Sequence, residues 1–472
     1  MRSKLMIGIS LIAAAVAVAG TLMFFNISKP EEEFKLVPGK RTTEKSHTKI
    51  PGTDVGTGWS IKEKAGEAVR EALDMALGEK KSKTADFVVI FASSGSDMKT
   101  ILSETRKRLG VKAKIYGGAS DSRGVITDKG FIKAAMRGYG YEKTGEKTAI
   151  AIMTATSKDI VFGVGSADFT KYPSVQDAAK DALAKAIKNA GKTMDESPKI
   201  VMITPTIGGE EDVLDGIEQM VGNKVVILGG TTGGPSMAVF GDEGTYEKGL
   251  SLAVIYTDLP LGWTFEGGFD VAEPKTGIVT KVNGHTIVEI DNRPALDVYD
   301  EWLGGKIAKL FKELKGPDAV RDLLTLHPIY RKYKSVTGQD YYLFSHPWPE
   351  DEALKKHGVN TSTNIKLGER IYLSHGTWEI LLNRIGNLPR NARRNGGVVI
   401  DKRVILGIGY LCGGVMGTIP EKDRGKMAFL INNTNYDSPF IANFTWGEQG
   451  HFPGVGNKHG NLTTSFIVIG EK

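Results

Sequence analysis

The chain opens on its most apolar stretch: Leu5 to Ile27 carries no charge and follows Arg2 and Lys4. A helix of that length, rising about 1.5 Å per residue, crosses a hydrocarbon core of about 30 Å. Ala15–Ala17 and Ala17–Ala19 would suit a signal peptidase, but Leu22–Phe25 carry the apolar run past them. Residues 1–28 therefore read as an uncleaved signal-anchor, a transmembrane helix with the body extracytoplasmic. Cleavage would make the protein secreted instead. The orientation cues conflict, because Lys29, Lys35, Lys40, Arg41 and Lys45 crowd the far flank; large domains nevertheless translocate despite flanking charge. Residues 29–57 are polar, with Glu31–Glu33, Pro38, Gly39, Pro51 and Gly52, and read as a linker.

Beyond the linker the pattern repeats. A helix is predicted over Trp59–Leu77, where Ile61, Ala65, Ala68, Val69 and Ala72 keep helical spacing and Gly78 stops it. The strand Phe87–Phe91 follows, then the polar turn Ala92–Ser96, a helix over Asp97–Leu109, and a short strand ending in Gly117-Gly118. The same order returns as helix Val175–Ala190, strand Ile200–Ile203, turn Thr204–Gly209, helix Glu210–Met220 and strand Val225–Leu228, ending in Gly229-Gly230. Phe162–Gly165 also echoes Phe265–Gly268. This self-similarity predicts two copies of one α/β unit.

The C-terminal part is mixed. Helices are predicted over Leu296–Leu314 and Thr377–Ile385, and strands over Tyr342–Phe344, Val398–Ile400, Val404–Ile408, Met427–Ile431 and Phe440–Phe444. The fold class is thus a duplicated α/β N-terminal module, 58–262, followed by an α+β C-terminal module, 263–472, behind the transmembrane helix.

Composition narrows the partners. The 61 basic and 55 acidic residues show no long basic run, so nucleic acid is not an expected partner. The single cysteine, Cys412, excludes an internal disulfide and a cysteine zinc site. No two histidines share a ligand-like helical spacing, and no metal or cofactor is called for. Gly191-Lys192-Thr193 fails as a phosphate loop, because Ala186 stands where a glycine is required and the tripeptide follows a helix.

In α/β sheets, ligands bind beyond the carboxyl ends of strands. Ser93, Ser94, Ser96, Gly117, Gly118, Thr204, Thr206, Gly229, Gly230 and Thr231 fall at such ends and are expected to line one crevice. The competing reading makes each Gly pair a tight corner and each hydroxyl a cap. A zwitterion would need a guanidinium fork and a carboxylate. Arg293 and Glu448 are the candidates, with Arg370, Tyr341, Tyr342 and Trp378 beside them.

The doubled pattern with Tyr116-Gly117-Gly118-Ala119-Ser120 and Leu228-Gly229-Gly230-Thr231-Thr232 resembles the N-terminal module of the FIST (F-box and intracellular signal transduction) proteins. Val279–Gly284 running into Ile287–Tyr299, with Arg293-Pro294-Ala295-Leu296, is similar to the opening of their C-terminal module, and Phe440–Gly450 to its close. The resemblance implies a sensor for a small polar ligand such as an amino acid, held between the two modules, with an unidentified signalling partner. It also implies the alternative of a haem-based gas sensor, for which His285 or His375 would be the axial ligand. A further alternative, a hydrolase using Cys412 or a serine of the 93–96 turn, rests on the placement of those nucleophiles near strand ends.

Overall fold

One order of elements, strand, helix, strand, helix, strand, occurs three times in the computed structural model, which describes residues 47–50, 52–78, 84–121, 123–134, 149–234, 236–272, 275–313, 316–348, 357–399 and 402–472. The apolar segment Leu5–Ile27 lies outside the described residues. Among the described residues no helix is long and apolar enough to cross a membrane.

The first copy comprises β1 (His47–Ile50), β2 (Thr53–Ser60), α1 (Ala65–Leu77), β3 (Phe87–Ser93), α2 (Met98–Leu109), β4 (Lys114–Ser120), the hairpin β5 (Gly124–Thr127) and β6 (Gly130–Lys133), and β7 (Ile150–Ser157). The second comprises β8 (Ile160–Asp168), α3 (Val175–Asn189), β9 (Ile200–Pro205), α4 (Glu210–Val221), β10 (Val226–Gly230), the hairpin β11 (Val239–Phe240) and β12 (Thr245–Tyr246), and β13 (Gly249–Thr257).

The third copy starts with β14 (Leu261–Glu266) and is then interrupted. The insertion carries β15 (Thr276–Asn283), β16 (Thr286–Ile290), β17 (Arg293–Pro294), α5 (Ala295–Trp302), α6 (Lys306–Lys312), α7 (Gly316–Thr325), β18 (Ile329–Lys334), β19 (Asp340–Ser345), β20 (Pro347–Trp348), β21 (Val359–Thr361) and β22 (Arg370–Leu373). The copy resumes with α8 (Trp378–Gly396), β23 (Val404–Cys412), α9 (Gly413–Thr418), α10 (Lys426–Asn435), β24 (Phe440–Thr445), the hairpin β25 (Glu448–Phe452) and β26 (Gly456–Gly460), and β27 (Thr464–Gly470).

Strand order identifies the copies as one motif. It runs β2-β7-β3-β4, β8-β13-β9-β10 and β14-β27-β23-β24, with the last pair of each parallel and the others antiparallel. Each hairpin leaves its own copy: β5 pairs with β24, β11 with β4 and β25 with β10. The exchange closes a ring. Its seams carry backbone hydrogen bonds from Ala119 N to Ala238 O, Thr231 N to Gly447 O and Asp121 N to Phe444 O, each 2.8 Å. The sheets share one apolar core, to which Phe87, Phe91 and Tyr116, then Met202 and Leu228, then Ile408, Tyr410 and Ile467 contribute. In that core the Tyr116 and Tyr410 hydroxyls lie 2.6 Å apart, and Thr204 Oγ1 donates to Tyr116 at 2.9 Å.

A glycine in the first strand of each copy lets the first helix rest on the sheet. A Cβ at Gly58 would overlap the carbonyl oxygen of Ala72, one at Gly165 that of Ala182, and one at Gly262 that of Ala392. Across the strands Gly262 faces Val468 and Gly407 as Gly163 faces Val254 and Val201, so Gly262 is the counterpart of Gly163 and the echo expected between Phe162–Gly165 and Phe265–Gly268 is out of register.

Several expected elements are corrected. The linker ends earlier than residue 57, because β1 and β2 join the first sheet and Val55, Thr57 and Ser60 are buried. The helix expected from Trp59 begins at Ala65. The helix over Leu296–Leu314 is split where Gly304 and Gly305 turn left-handed, at φ 68° and 76°. Met427–Ile431 is helical, its buried face being Met427, Ala428, Ile431, Asn432 and Asn435. Val398 and Val399 lie outside any strand.

Gly262→Ala places a methyl against backbone that cannot retreat, and overpacking of this kind costs about 1–3 kcal/mol. Chemical denaturation should show a loss of that size, whereas Gly244→Ala, with open space around it, should stay near wild type.

Candidate ligand-binding site

A cavity of about 660 Å³ lies at the carboxyl ends of the second and third copies, under the insertion. The second copy supplies Ile207–Asp212, the entry to α4. The third supplies Cys412 and Gly414, Thr445 and Trp446, and Asn461 and Leu462. The insertion supplies Arg321 and Thr325 of α7, His346, Trp348 and Asn364, and the first copy adds Arg123. Asn364 N donates to Glu211 Oε1 at 3.1 Å, which ties the insertion to α4.

Local chemistry fixes each wall. Arg123 grips Asp121 through two hydrogen bonds, Nε to Oδ1 at 2.7 Å and Nη2 to Oδ2 at 2.9 Å, and also donates to Gly413 O at 2.7 Å. The Trp446 indole donates to Asp121 Oδ2 at 2.8 Å. Burial alone would raise the Asp121 pKa, but Arg123 and these donors hold it below the ordinary carboxylate value. Burial and the Arg321 charge push His346 down to about 3, so its imidazole is neutral; Nε2 lies 3.1 Å from Thr325 Oγ1. At the start of α4, the Glu210 carboxylate accepts the Gly208 and Gly209 N–H groups at 3.0 and 2.9 Å. A carboxylate there also suits the helix dipole.

None of the strand-end residues expected to line a crevice borders this cavity. Ser93 Oγ and Thr206 Oγ1 occupy equivalent positions and accept the N–H of Ala149 and Gly249, at 3.1 and 3.0 Å, tying down the starts of β7 and β13. Ser94 exchanges hydrogen bonds with Ser236, both 2.8 Å, and Ser96 donates to Ser93 O at 2.6 Å. Thr204 is spent on Tyr116, and Thr231 accepts from Gln449 at 3.0 Å. Beside Gly117 and Gly229 stand the carbonyls of Ile90 and Ile203; beside Gly118 and Gly230 stand Ala238 O and the Thr445 side chain. These glycines admit neighbouring protein atoms rather than a ligand.

Arg293 is exposed and pairs with Glu301 at 2.7 Å. Tyr341 stacks on Phe452, while Tyr342 and Trp378 pack on the third copy's core; neither these residues nor Arg370 borders the cavity. Glu448 is fully buried behind the cavity wall, accepting from Thr445 Oγ1 at 2.6 Å and Thr463 Oγ1 at 2.8 Å. Cys412 does reach the cavity, but burial, reinforced by Glu448, pushes its thiol pKa up, so it is held as a weakly nucleophilic thiol. His285 borders the cavity, whereas His375 Nδ1 meets His327 Nε2 at 3.0 Å in a separate cleft.

The geometry defines the class first: a repeated α/β protein with a cavity at its strand ends. The FIST N domain model matches residues 86–293, and the domain it describes is one of sensory, signal-transducing proteins. No curated protein matches the chain. Among solved structures, cyanuric acid hydrolase from A. caulinodans aligns over 89% of this chain and 99% of its own, at 7% identity and a TM-score of 0.32. Phosphoribosylformylglycinamidine synthase II from Thermotoga maritima aligns over 90% and 74%, at 11% identity and a TM-score of 0.20. Likenesses this weak carry no argument about activity.

Burial pushes Glu448 up to about 8 from an ordinary 4.5, against the pull of its Thr445, Thr463 and Cys412 donors. Its contribution to stability is therefore complete below about pH 4.5 and is lost as pH rises through about 8. Glu448→Gln should gain stability relative to wild type between pH 5 and pH 8.5 in urea unfolding; a difference independent of pH would contradict the assignment.

Proposed function

We propose that the protein is a membrane-anchored sensor that holds a small polar ligand, an amino acid or a similar zwitterion, in the cavity between the strand ends and the insertion. The carrying observation is the cavity itself, at about 660 Å³ the size of a small-ligand site. Its wall sets Glu211 and Asp212 at one helix start and Arg321 on the insertion, so groups of both signs line the cavity for the two ends of a zwitterion. The family supports the sensory role. Residues beyond 293 act in this reading as the C-terminal FIST module. Because the insertion contributes one wall, a bound ligand would shift its orientation over α4, and that shift is the signal passed to a partner.

The anchor would be Leu5–Ile27, with the body extracytoplasmic. Alkaline extraction should leave the full chain with the membrane and release a chain lacking residues 1–28; release of both would remove the anchor from the account.

A thermal-shift and calorimetry screen of amino acids and small carboxylates tests the binding. A ligand held at about 100 times its dissociation constant should add about 2.7 kcal/mol. Arg321→Ala and Trp348→Ala should abolish that gain while leaving the ligand-free melt close to wild type. Equal protection of both variants, or no protection by any compound, would overturn the reading.

A further inference from the structure

We infer that Glu210, Glu211 and His459 form a binding site for a divalent first-row metal ion at the edge of the cavity. One ligand atom from each lies within 4.8 Å of the others. The carboxylates come from the first turn of α4, and the imidazole from β26, which the hairpin exchange lays beside the second copy's sheet.

Glu210 and His459 are 6% and 4% exposed. Glu210 is buried and Glu211 half-buried, and neither carboxylate has a lysine or arginine partner among the described residues. Their contacts orient them instead. Glu210 spends one oxygen on the Gly208 and Gly209 N–H groups, and Glu211 spends one on Asn364 N. His459 Nδ1 is engaged with the Gln449 amide at 2.9 Å, which leaves Nε2 for the carboxylate side.

An orphaned side-chain oxygen points to a missing partner. Asn461 Oδ1 is buried with no hydrogen bond, and its amide nitrogen is held on Trp446 O at 3.3 Å. Asn461 stands beside His459: a Cβ at Gly447 would lie 2.6 Å from His459 Cε1 and 3.2 Å from Asn461 Nδ2. An ion bound by Nε2 can therefore take Asn461 Oδ1 as a further ligand, directly or through water. Gln449 Oε1 is buried and unpartnered as well. A half-turn of that amide, with the Thr231 hydroxyl then donating to it instead of accepting, makes Oε1 the acceptor for His459 Nδ1–H and leaves Nε2 with its lone pair free, the usual support of a metal-bound imidazole.

The donor set chooses the metal. One imidazole with carboxylate and amide oxygens suits Zn²⁺ or Mn²⁺; Ca²⁺ asks for about six to eight oxygens, and the absence of a thiolate disfavours Cu(I). The site stands whether or not an organic ligand enters the cavity, so the test uses metal alone.

The full chain, stripped with chelator, is titrated with Co²⁺ and read by visible d–d absorption, with bound metal counted by mass spectrometry. One equivalent should bind, Zn²⁺ should displace it, and Glu211→Gln and His459→Ala should each weaken binding by at least about tenfold. Glu211→Gln keeps the acceptor for Asn364 N, and circular dichroism verifies its fold. Failure of the folded wild type to take up Co²⁺, or uptake unchanged in both variants, would overturn the site. Arg321→Ala should bind Co²⁺ normally, which separates this outcome from that of the amino-acid screen.

Discussion

The structure depends on the backbone pairing of exchanged hairpins. A sheet of the β2-β7-β3-β4 kind leaves the outer edge of β4 with unpaired N–H and C=O groups, and burying such an edge without partners is prohibitive. Each copy solves the problem for another: β11 completes the first sheet, β25 the second and β5 the third. No copy can then close its sheet from its own chain segment, and the core around Tyr116, Tyr410 and Thr204 forms only when all three are present.

The same exchange places the chemistry. Because β25 and β26 lie on the second copy's sheet, Asn461 and His459 arrive beside the first turn of α4, although some 250 residues separate them in sequence. Arg123 sits at the mouth of the β5–β6 hairpin and reaches Gly413 of the third copy. The insertion between β14 and α8 then covers this junction and adds Trp348, His346 and Arg321. The cavity is thus built from four distant stretches of the chain.

The duplication was legible because its signals are local: helix spacing, stop glycines and the Gly-Gly corners recur at a nearly constant offset. The third copy was hidden by the inserted β15–β22 and by Ala442-Asn443 standing where the other copies have Gly117-Gly118 and Gly229-Gly230. The recurring Gly-Gly corners pointed away from the cavity, since those glycines make room for Ile90 O, Ile203 O and Thr445. Glu210 and Glu211 were visible as the opening of a helix, but nothing in their neighbourhood of the chain announces His459, Asn461 or Arg321. Long-range register decides that, and periodicity does not encode it.

Native-state hydrogen exchange at the three seams addresses the ring most directly. The amides of Ala119, Asp121 and Thr231 bridge successive copies, and exchange reports the free energy at which each opens. The account predicts that all three exchange only with global unfolding, in step with the central strands β3, β9 and β23. If one seam opens in a separate, low-energy step while the other two stay protected, the copies are not mutually dependent and the ring is not what holds the cavity in place.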